Sequence, residues 1–442
     1  MVNVRNGPVW DRRKAVTPDA RPTAGAILRL CAPTRPGPAH ANPSEGLFAN
    51  GFCHGLLSPL VRQLTLVKAR TLVWRDVPEP RLETADDVLV RPFAVARCDL
   101  DVGLLSGRLA RAFSLGRLFG RLDPLAHAAF GARPYALPLP FGHECVAEVL
   151  ACGDEVRSVR PGDRVTVPFQ VSCGTCGRCA VGLTGQCSGV PLFSMYGGIG
   201  GRDEWGGMLA DVVRVPYGDA MLVRLPDGVD PIGLASLSDN VPDAWRLVGP
   251  ALGSRPRASV LVVSGFARSI GLYAAAAAVA LGATRVDYLD RDRRRLDLAA
   301  RVGAVAVEGT YTSFRGEYDV VADASATVAG LQCALRAVAP GGVCTVAGFF
   351  PRKSTAIPMF TLYAKKLTLA TGVIDARTFI PEVLRLVETG AFDPGALTTT
   401  LASWDDAPQA MLEDSVKVVV HRPPLRSLAL ASGDLEHGGN AR

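Results

Sequence analysis

Apolar and polar residues change rhythm twice along the chain. Up to about residue 60 no periodicity outlasts a few positions, and Pro, Ala, Arg and Gly dominate. That stretch reads as an irregular extension, with an organellar transit peptide as the alternative for its Arg-rich, acid-poor start. Regular structure is predicted from near Leu64, where LTLVKARTLVW alternates like a strand pair. To about residue 235 follow short β-branched runs: DDVLVRPF, VAEVLACG, DRVTVPF, ADVVRVP and MLVRLPDG. Gly-Asp, Pro-Gly-Asp and Pro-Asp-Gly turns separate them, which predicts a compact β domain. Then strands alternate with helices: VLVV, LYAAAAAVALG, RVDYLD, DRRRLDLAARVG, VAV, DVVAD, a helix to Ala339 and VCTVAG. That grammar predicts a parallel sheet with helical crossovers, an α/β half beside a β half. The Leu/Ala-rich segment ending near Gly390 and the strand VKVVVHR are expected to return to the first domain. The predicted boundaries are 1–60, 61–238, 239–375, 376–423 and a solvated tail over 424–442.

Composition narrows the class. The 442 residues are 48% hydrophobic and 20% charged, enough for two or three domains with cores of their own. The longest nearly unbroken apolar stretch, Ile270 to Ala283, is 14 residues and falls short of the roughly 18 to 20 that span a bilayer. No repeat or low-complexity tract supports a collagen-like or disordered chain. The net charge of +6 comes from residues 1–60 and 105–140, each +4, which leaves −2 elsewhere. No basic face spreads over a domain, so nucleic acid is not an expected partner. Eleven cysteines and no apolar leader argue for reduced thiols, some of them metal ligands, and for a cytoplasmic location.

Cys173, Cys176, Cys179 and Cys187 lie in SCGTCGRCAVGLTGQC, a C-x2-C-x2-C-x7-C spacing. Two-residue gaps turn successive sulfurs toward one point, and Gly174, Gly177, Gly182 and Gly185 allow the tight backbone. Four thiolates at about 2.3 Å make the closed tetrahedral site of a structural zinc. An iron–sulfur cluster fits less well, because the ferredoxin run has a three-residue last gap followed by Pro.

A second set of metal-ligand types is Cys98 in FAVARCDLD, with His143 and Glu144 in PFGHECVAEV. With Asp101, the PGDRV turn at 161–165 and the cysteine lobe, these resemble the zinc-dependent medium-chain dehydrogenase/reductase family of the alcohol dehydrogenase superfamily. The resemblance runs from about residue 65 to 423. It implies a GroES-like β-barrel catalytic domain and a Rossmann cofactor domain with a doubly wound parallel sheet. It also implies a catalytic zinc on Cys98, His143 and a residue just before the cofactor domain, for which ASLSDNVPDAW offers Asp239. Glu144 resembles the carboxylate that exchanges onto the metal. Three protein ligands and an open position suit a zinc that acts as a Lewis acid on an alcohol or carbonyl oxygen. With the lobe, two zinc ions per chain are expected. The chain departs from the family at Leu100, where a Ser or Thr usually relays the alcohol proton, and at Gly103, near which a His often completes the relay. Asp243 replaces a Thr that touches nicotinamide, and Ala147 replaces a Gly. Asp99 or water is the expected substitute in the relay.

The dinucleotide turn, SGFARSIG, keeps Gly265 and Gly271 but has Ser264 and Phe266 where glycines are expected. The strand before it and the helix after it support the assignment. The helix N-terminus, at Ser269 and Ile270, is expected to offer free N–H groups to a pyrophosphate. Asp290 ends the next strand 19 residues after Gly271, in place to accept from the ribose hydroxyls. That favours NAD, while the neighbouring Arg291 leaves NADP open. Between Cys98 and His143 lies an insert at about 105–140, with Arg108, Arg111, Arg117 and Arg121 and with Leu109, Phe113, Leu118 and Leu122 near a helical period. It is expected either as a lid over the substrate cleft or as a surface excursion or subunit contact. The expected activity is hydride transfer between an alcohol substrate and NAD, giving an aldehyde or ketone, in a homodimer or homotetramer. The alternatives are a zinc-assisted reductase using NAD(P)H and a non-catalytic NAD-binding protein.

Overall fold

The computed structural model describes residues 59–131, 134–201 and 204–425. The readings of residues 1–58 as an extension or transit peptide, and of a tail beyond 425, lie outside the described residues.

The first domain opens with a hairpin of β1 (Leu60–Lys68) and β2 (Thr71–Pro78). β3 (Val88–Ala96) then leads into α1 (Asp99–Leu105), and the insert follows as α2 (Arg108–Leu118) and α3 (Pro124–Phe130). The short β4 (Leu139–Pro140) pairs with β1, and β5 (Glu144–Cys152) and β6 (Arg164–Val167) extend the sheet from β3. The cysteine lobe carries α4 (Gly177–Ala180); β7 (Val213–Val215), α5 (Gly218–Met221) and β8 (Val223–Arg224) complete this part of the chain.

α6 (Asn240–Ser254) crosses into the second domain. Val241, Ala244, Leu247, Val248 and Leu252 recur at helical spacing and pack on Val260, Val262 and Leu272. Burial of each of the larger side chains stabilises by about 1.5–3 kcal/mol relative to exposure. β9 (Ser259–Val263), α7 (Arg268–Ala280), β10 (Arg285–Asp290), α8 (Arg293–Arg301) and β11 (Val305–Glu308) make the first half of this domain. β12 (Tyr318–Asp323), α9 (Val328–Arg336), β13 (Val338–Val346), α10 (Met359–Lys365) and β14 (Thr368–Thr371) make the second. All six strands are parallel, in the order β11-β10-β9-β12-β13-β14. The order reverses at β9, so the carboxyl ends of β9 and β12 frame a crevice of the doubly wound type. Ala274 to Ala278 let α7 lie close on the sheet, and a Cβ on Gly271 would meet Ala324 Cβ at 3.2 Å.

α11 (Ala376–Glu388) then leads to β15 (Thr400–Ser403) and β16 (Val418–His421). β16 pairs antiparallel with β3, Val419 opposite Ala96, giving the sheet order β15-β16-β3-β5-β6-β8 with β7 beside β3. The end of the chain thereby braces the strand that delivers Cys98. The insert also reaches the second domain. Asp123 N–H donates to Pro351 O at 2.9 Å, Lys353 N–H donates to Arg121 O at 3.1 Å, and the Phe113 ring lies 6.4 Å from Phe349. α2 buries Phe113 as its period predicts, whereas Leu118 on the same expected face stays 74% exposed.

Candidate metal and dinucleotide site

Cys98 follows β3 after Arg97 and caps α1, with its own N–H donating to Asp101 Oδ2 at 3.0 Å. His143 and Glu144 come from the turn into β5. Gly142 adopts φ +89° there, and a Cβ on it would press on Leu209 N at 3.0 Å, so the turn requires glycine. Asp239 immediately precedes α6. The fold brings one ligand atom from each of Cys98, His143, Glu144 and Asp239 within 4.8 Å of the others, all four side chains buried. His143 Nε2 faces Asp239 Oδ2 at 3.2 Å, while its Nδ1 faces Asp101 Oδ1 at 3.5 Å. Neither atom of the second contact makes a hydrogen bond, so Asp101 meets His143 as a buried charge 3.5 Å away.

The electrostatics ask for a cation. Burial pushes the Cys98 thiol well up, and the carboxylates of Asp239, Glu144 and Asp101 push it further. Burial opposes the His143 imidazolium, yet Asp101, Asp239 and Glu144 outweigh it and push His143 up to about 9. Burial raises Glu144 to about 7 against the pull of Lys417. Glu144 Oε1 is buried and without a hydrogen-bond partner. A thiolate, an imidazole and two carboxylates, one with an orphaned oxygen, fit a zinc ion.

Two residues that the motifs did not signal complete the cluster. Lys417 on the β15–β16 connection is fully buried and donates to Glu144 Oε2 (2.7 Å), Asn240 Oδ1 (2.8 Å) and Arg97 O (3.0 Å). Asn240 Nδ2 donates to Cys98 Sγ at 3.2 Å and to Asp239 Oδ2 at 3.0 Å. Leu100 packs with Phe169, Met195, Ile199 and Ile374 into an apolar wall, and the Phe169 ring lies 5.7 Å from the His143 ring. In the relay, Asp99 does not stand where Leu100 leaves a gap: its Oδ2 is taken by Ser269 and Ile270.

In the lobe, the sulfurs of Cys173, Cys176, Cys179 and Cys187 likewise lie within 4.8 Å of one another. Cys187 Sγ is 3.5 Å from Cys173 Sγ and 3.9 Å from Cys176 Sγ. Arms of about 2.3 Å at the tetrahedral angle set sulfurs roughly 3.8 Å apart, so the donor set fits a closed zinc site. Hydrogen bonds from the Ser188 hydroxyl and the Cys179 and Ser188 amides lower the Cys176 thiol to about 5. Gly185 N–H donates to Asp375 Oδ1 and Thr378 Oγ1 donates to Gly182 O, which seats the lobe on the start of α11.

The dinucleotide residues fall at the crevice. Gly265 lies so close to the β12–α9 turn that a Cβ would sit 2.6 Å from Ser325 Cα. Asp290 ends β10 with its carboxylate clamped by Arg295, Nε to Oδ2 and Nη2 to Oδ1 at 2.6 Å each, and by the amides of Arg291 and Asp292. The expectation of free N–H groups on α7 is corrected. Ser269 and Ile270 donate theirs to Asp99 Oδ2 at 2.8 and 3.3 Å, because α1 of the catalytic domain abuts the helix end. Asp243 is bonded by Arg246 through two nitrogens. Sheet order, the two glycines and Asp290 fit a nicotinamide dinucleotide; the first-turn amides do not offer themselves to it.

A GroES-like β domain with a buried thiolate–imidazole–carboxylate centre, facing a six-stranded dinucleotide-type sheet, defines a metal-dependent dehydrogenase architecture. The family profile "Alcohol dehydrogenase GroES-like domain" matches residues 84–227, and "Zinc-binding dehydrogenase" matches residues 269–389. A Mycobacterium tuberculosis protein described as a probable zinc-binding alcohol dehydrogenase is 29% identical over 336 residues, 75% of this chain and 79% of its own length. The alcohol dehydrogenase of Thermus sp. ATN1 superposes with TM-score 0.69 at 26% identity, covering 81% of this chain and 99% of that one. A zinc-binding dehydrogenase fold from Sinorhizobium meliloti, solved with NADP, superposes with TM-score 0.64 at 24% identity, covering 83% and 100%. The chain belongs to the zinc-dependent medium-chain dehydrogenase/reductase family, the alcohol dehydrogenase superfamily.

Proposed function

We propose that this protein transfers hydride between an alcohol and NAD, giving an aldehyde or ketone, with one catalytic and one structural zinc per chain. The observation that carries the reading is the buried set of Cys98, His143, Glu144 and Asp239 within 4.8 Å, beside the start of the cofactor domain. When bound, the zinc supplies Lewis-acid polarisation of the substrate oxygen and the nicotinamide supplies the hydride acceptor or donor. The chain does the positioning. Asp101 places a carboxylate opposite His143 Nδ1, Asn240 holds Cys98 and Asp239, and Lys417 holds Glu144 by one oxygen while the other is left for the ion.

The wall of Leu100, Phe169, Met195, Ile199 and Ile374 excludes water and suits an apolar carbon skeleton. With Leu100 in the relay position, the substrate proton has no side-chain hydroxyl there to pass through. Asp290, fixed by Arg295, supports a free ribose diol and hence NAD over NADP. Self-association as a homodimer or homotetramer is supported by Met359, Phe360 and Tyr363 on α10, 65%, 79% and 81% exposed next to the edge strand β14. A cytoplasmic location rests on free thiols at every described cysteine. Among the described residues no helix is long and apolar enough to cross a membrane.

The test is a panel of alcohols, aldehydes and ketones followed by NADH absorbance, with Cys98→Ser as control. Turnover by the native protein that falls by at least about a hundredfold in the variant supports the reading. Undiminished turnover in Cys98→Ser removes the metal assignment.

A further inference from the structure

The N–H groups at the start of α7 can be accounted for completely. Ala267 donates to Ala324 O at 3.1 Å and Arg268 to Phe266 O at 2.9 Å. Ser269 and Ile270 donate to Asp99 Oδ2, and Gly271 already makes the first intrahelical bond, to Ala267 O. None is left for an incoming anion. This is the helix that follows the first strand of a doubly wound sheet, where the pyrophosphate of a dinucleotide is seated by such amides and by the positive end of the helix dipole. A carboxylate of the chain itself fills that seat. It comes from the other domain, on the residue next to Cys98, and is 5% exposed.

We infer that Asp99 is an internal anion in the pyrophosphate seat, and that dinucleotide entry exchanges it for the pyrophosphate. The inference rests on the proposed dinucleotide-dependent function. Both anions need the same two amides, and two negative groups on one pair of donors repel each other. The seat is therefore held by one or the other. The apparent affinity for cofactor is lowered by the fraction of molecules in which Asp99 occupies it.

The exchange is wired to the metal cluster. Ser269 Oγ lies 2.9 Å from Asp99 Oδ2 and 2.8 Å from Asn240 Oδ1, and its single proton serves one of them at a time. With Asp99 withdrawn, the hydroxyl serves Asn240 alone, and Asn240 is the residue that donates to Cys98 and Asp239. Cofactor entry would thereby set the donor shell of the metal ligands. It would also release the α1 turn that begins at Cys98.

The experiment is calorimetric binding of ADP-ribose, which carries the pyrophosphate but no nicotinamide, to the zinc-loaded full chain and to Asp99→Asn. Asn keeps the shape but removes the charge that strengthens the internal hydrogen bonds. The expected result is a Kd at least about tenfold lower in the variant. An equal or higher Kd in Asp99→Asn overturns the exchange and leaves the proposed function standing. Absence of binding to both proteins overturns the exchange and the dinucleotide reading together. Hydrogen exchange on the native chain gives a second reading that needs no variant. ADP-ribose should increase exchange over residues 99–105 and decrease it over the first turn of α7. Slower exchange in both segments overturns the inference.

Discussion

Lys417 Nζ lies 2.7 Å from Glu144 Oε2 with neither side chain reaching solvent. Burial opposes the Lys417 charge, but Glu144 holds the ammonium protonated, and Asn240 Oδ1 and Arg97 O take its other protons. Without Lys417 nothing lowers Glu144 against its burial, so its carboxyl stays protonated at neutral pH and becomes an uncompensated buried carboxylate next to Asp239 and Cys98 only at alkaline pH. Lys417→Met is therefore expected to cost about 3–5 kcal/mol in the metal-depleted protein at pH 9 and less at pH 7. Urea unfolding at both pH values measures it, and a loss within a few tenths of a kcal/mol at pH 9 would show that the ammonium does not balance this cluster.

Asp101 touches no substrate; its Oδ1 faces His143 Nδ1 at 3.5 Å, placed to orient the ring once His143 binds an ion. Asp101→Asn should weaken the catalytic zinc by about 10- to 100-fold while the cysteine lobe keeps its ion. Chelator competition with two resolved dissociation steps reads both sites in one titration. Unchanged affinity at the weaker site would leave Asp101 with its capping role toward Cys98 alone.

The metal-free protein should lose stability as the pH rises. The imidazolium of His143 is favoured by folding, from an ordinary value of 6.5 up to about 9, so its contribution is complete below 6.5 and is lost on passing through 9. Glu144 is raised by burial from 4.5 to about 7, so its ionisation is a cost that sets in over that range. Both act in the same direction between pH 4.5 and 9. Zinc binding requires the neutral imidazole and the thiolate, so zinc affinity should rise over the same interval as protons are released. Unfolding midpoints with and without zinc at pH 5, 7 and 9 test the sign.

The sequence carried unequal amounts of this. The clustering of the proposed ligands was legible because a metal would constrain residue chemistry at short spacing: Gly-His-Glu delivers His143 and Glu144 together, the Cys-x2-Cys repeats announce the lobe, and the fold gathers each set within 4.8 Å. Asp239 needed the family resemblance, since a lone Asp before a helix carries no signal. Lys417 and Asn240 were illegible. One reads as a polar start to an apolar strand and the other as a helix-start residue, and their roles arise only when β16 returns to β3. The occupant of the α7 amides was hidden for the same reason: Asp99 lies 170 residues from Ser269. The helical period of the insert was visible, but its contact with residues 351–353 was not, because backbone pairing between distant loops leaves no pattern in side chains.

The insert offers its own test. Phe113 is buried against Phe130, Tyr135 and Phe349, so Phe113→Ala should cost about 3–5 kcal/mol of local packing. Hydrogen exchange should rise in residues 108–130 and 349–353 together and stay unchanged in β3 and β5. A rise confined to the insert would show that it does not strap the two domains.

The central claim is an open-sided zinc centre made by Cys98, His143 and Asp239, with Glu144 beside it as the carboxylate that exchanges onto the metal, distinct from the closed site in the cysteine lobe. Anomalous X-ray scattering at the zinc edge from crystals of the zinc-loaded protein addresses it without reference to activity. The account predicts two peaks per chain, one among Cys173, Cys176, Cys179 and Cys187 and one among the four buried ligands of the first set. A single peak in the lobe, with His143 still paired to Asp239, would contradict it.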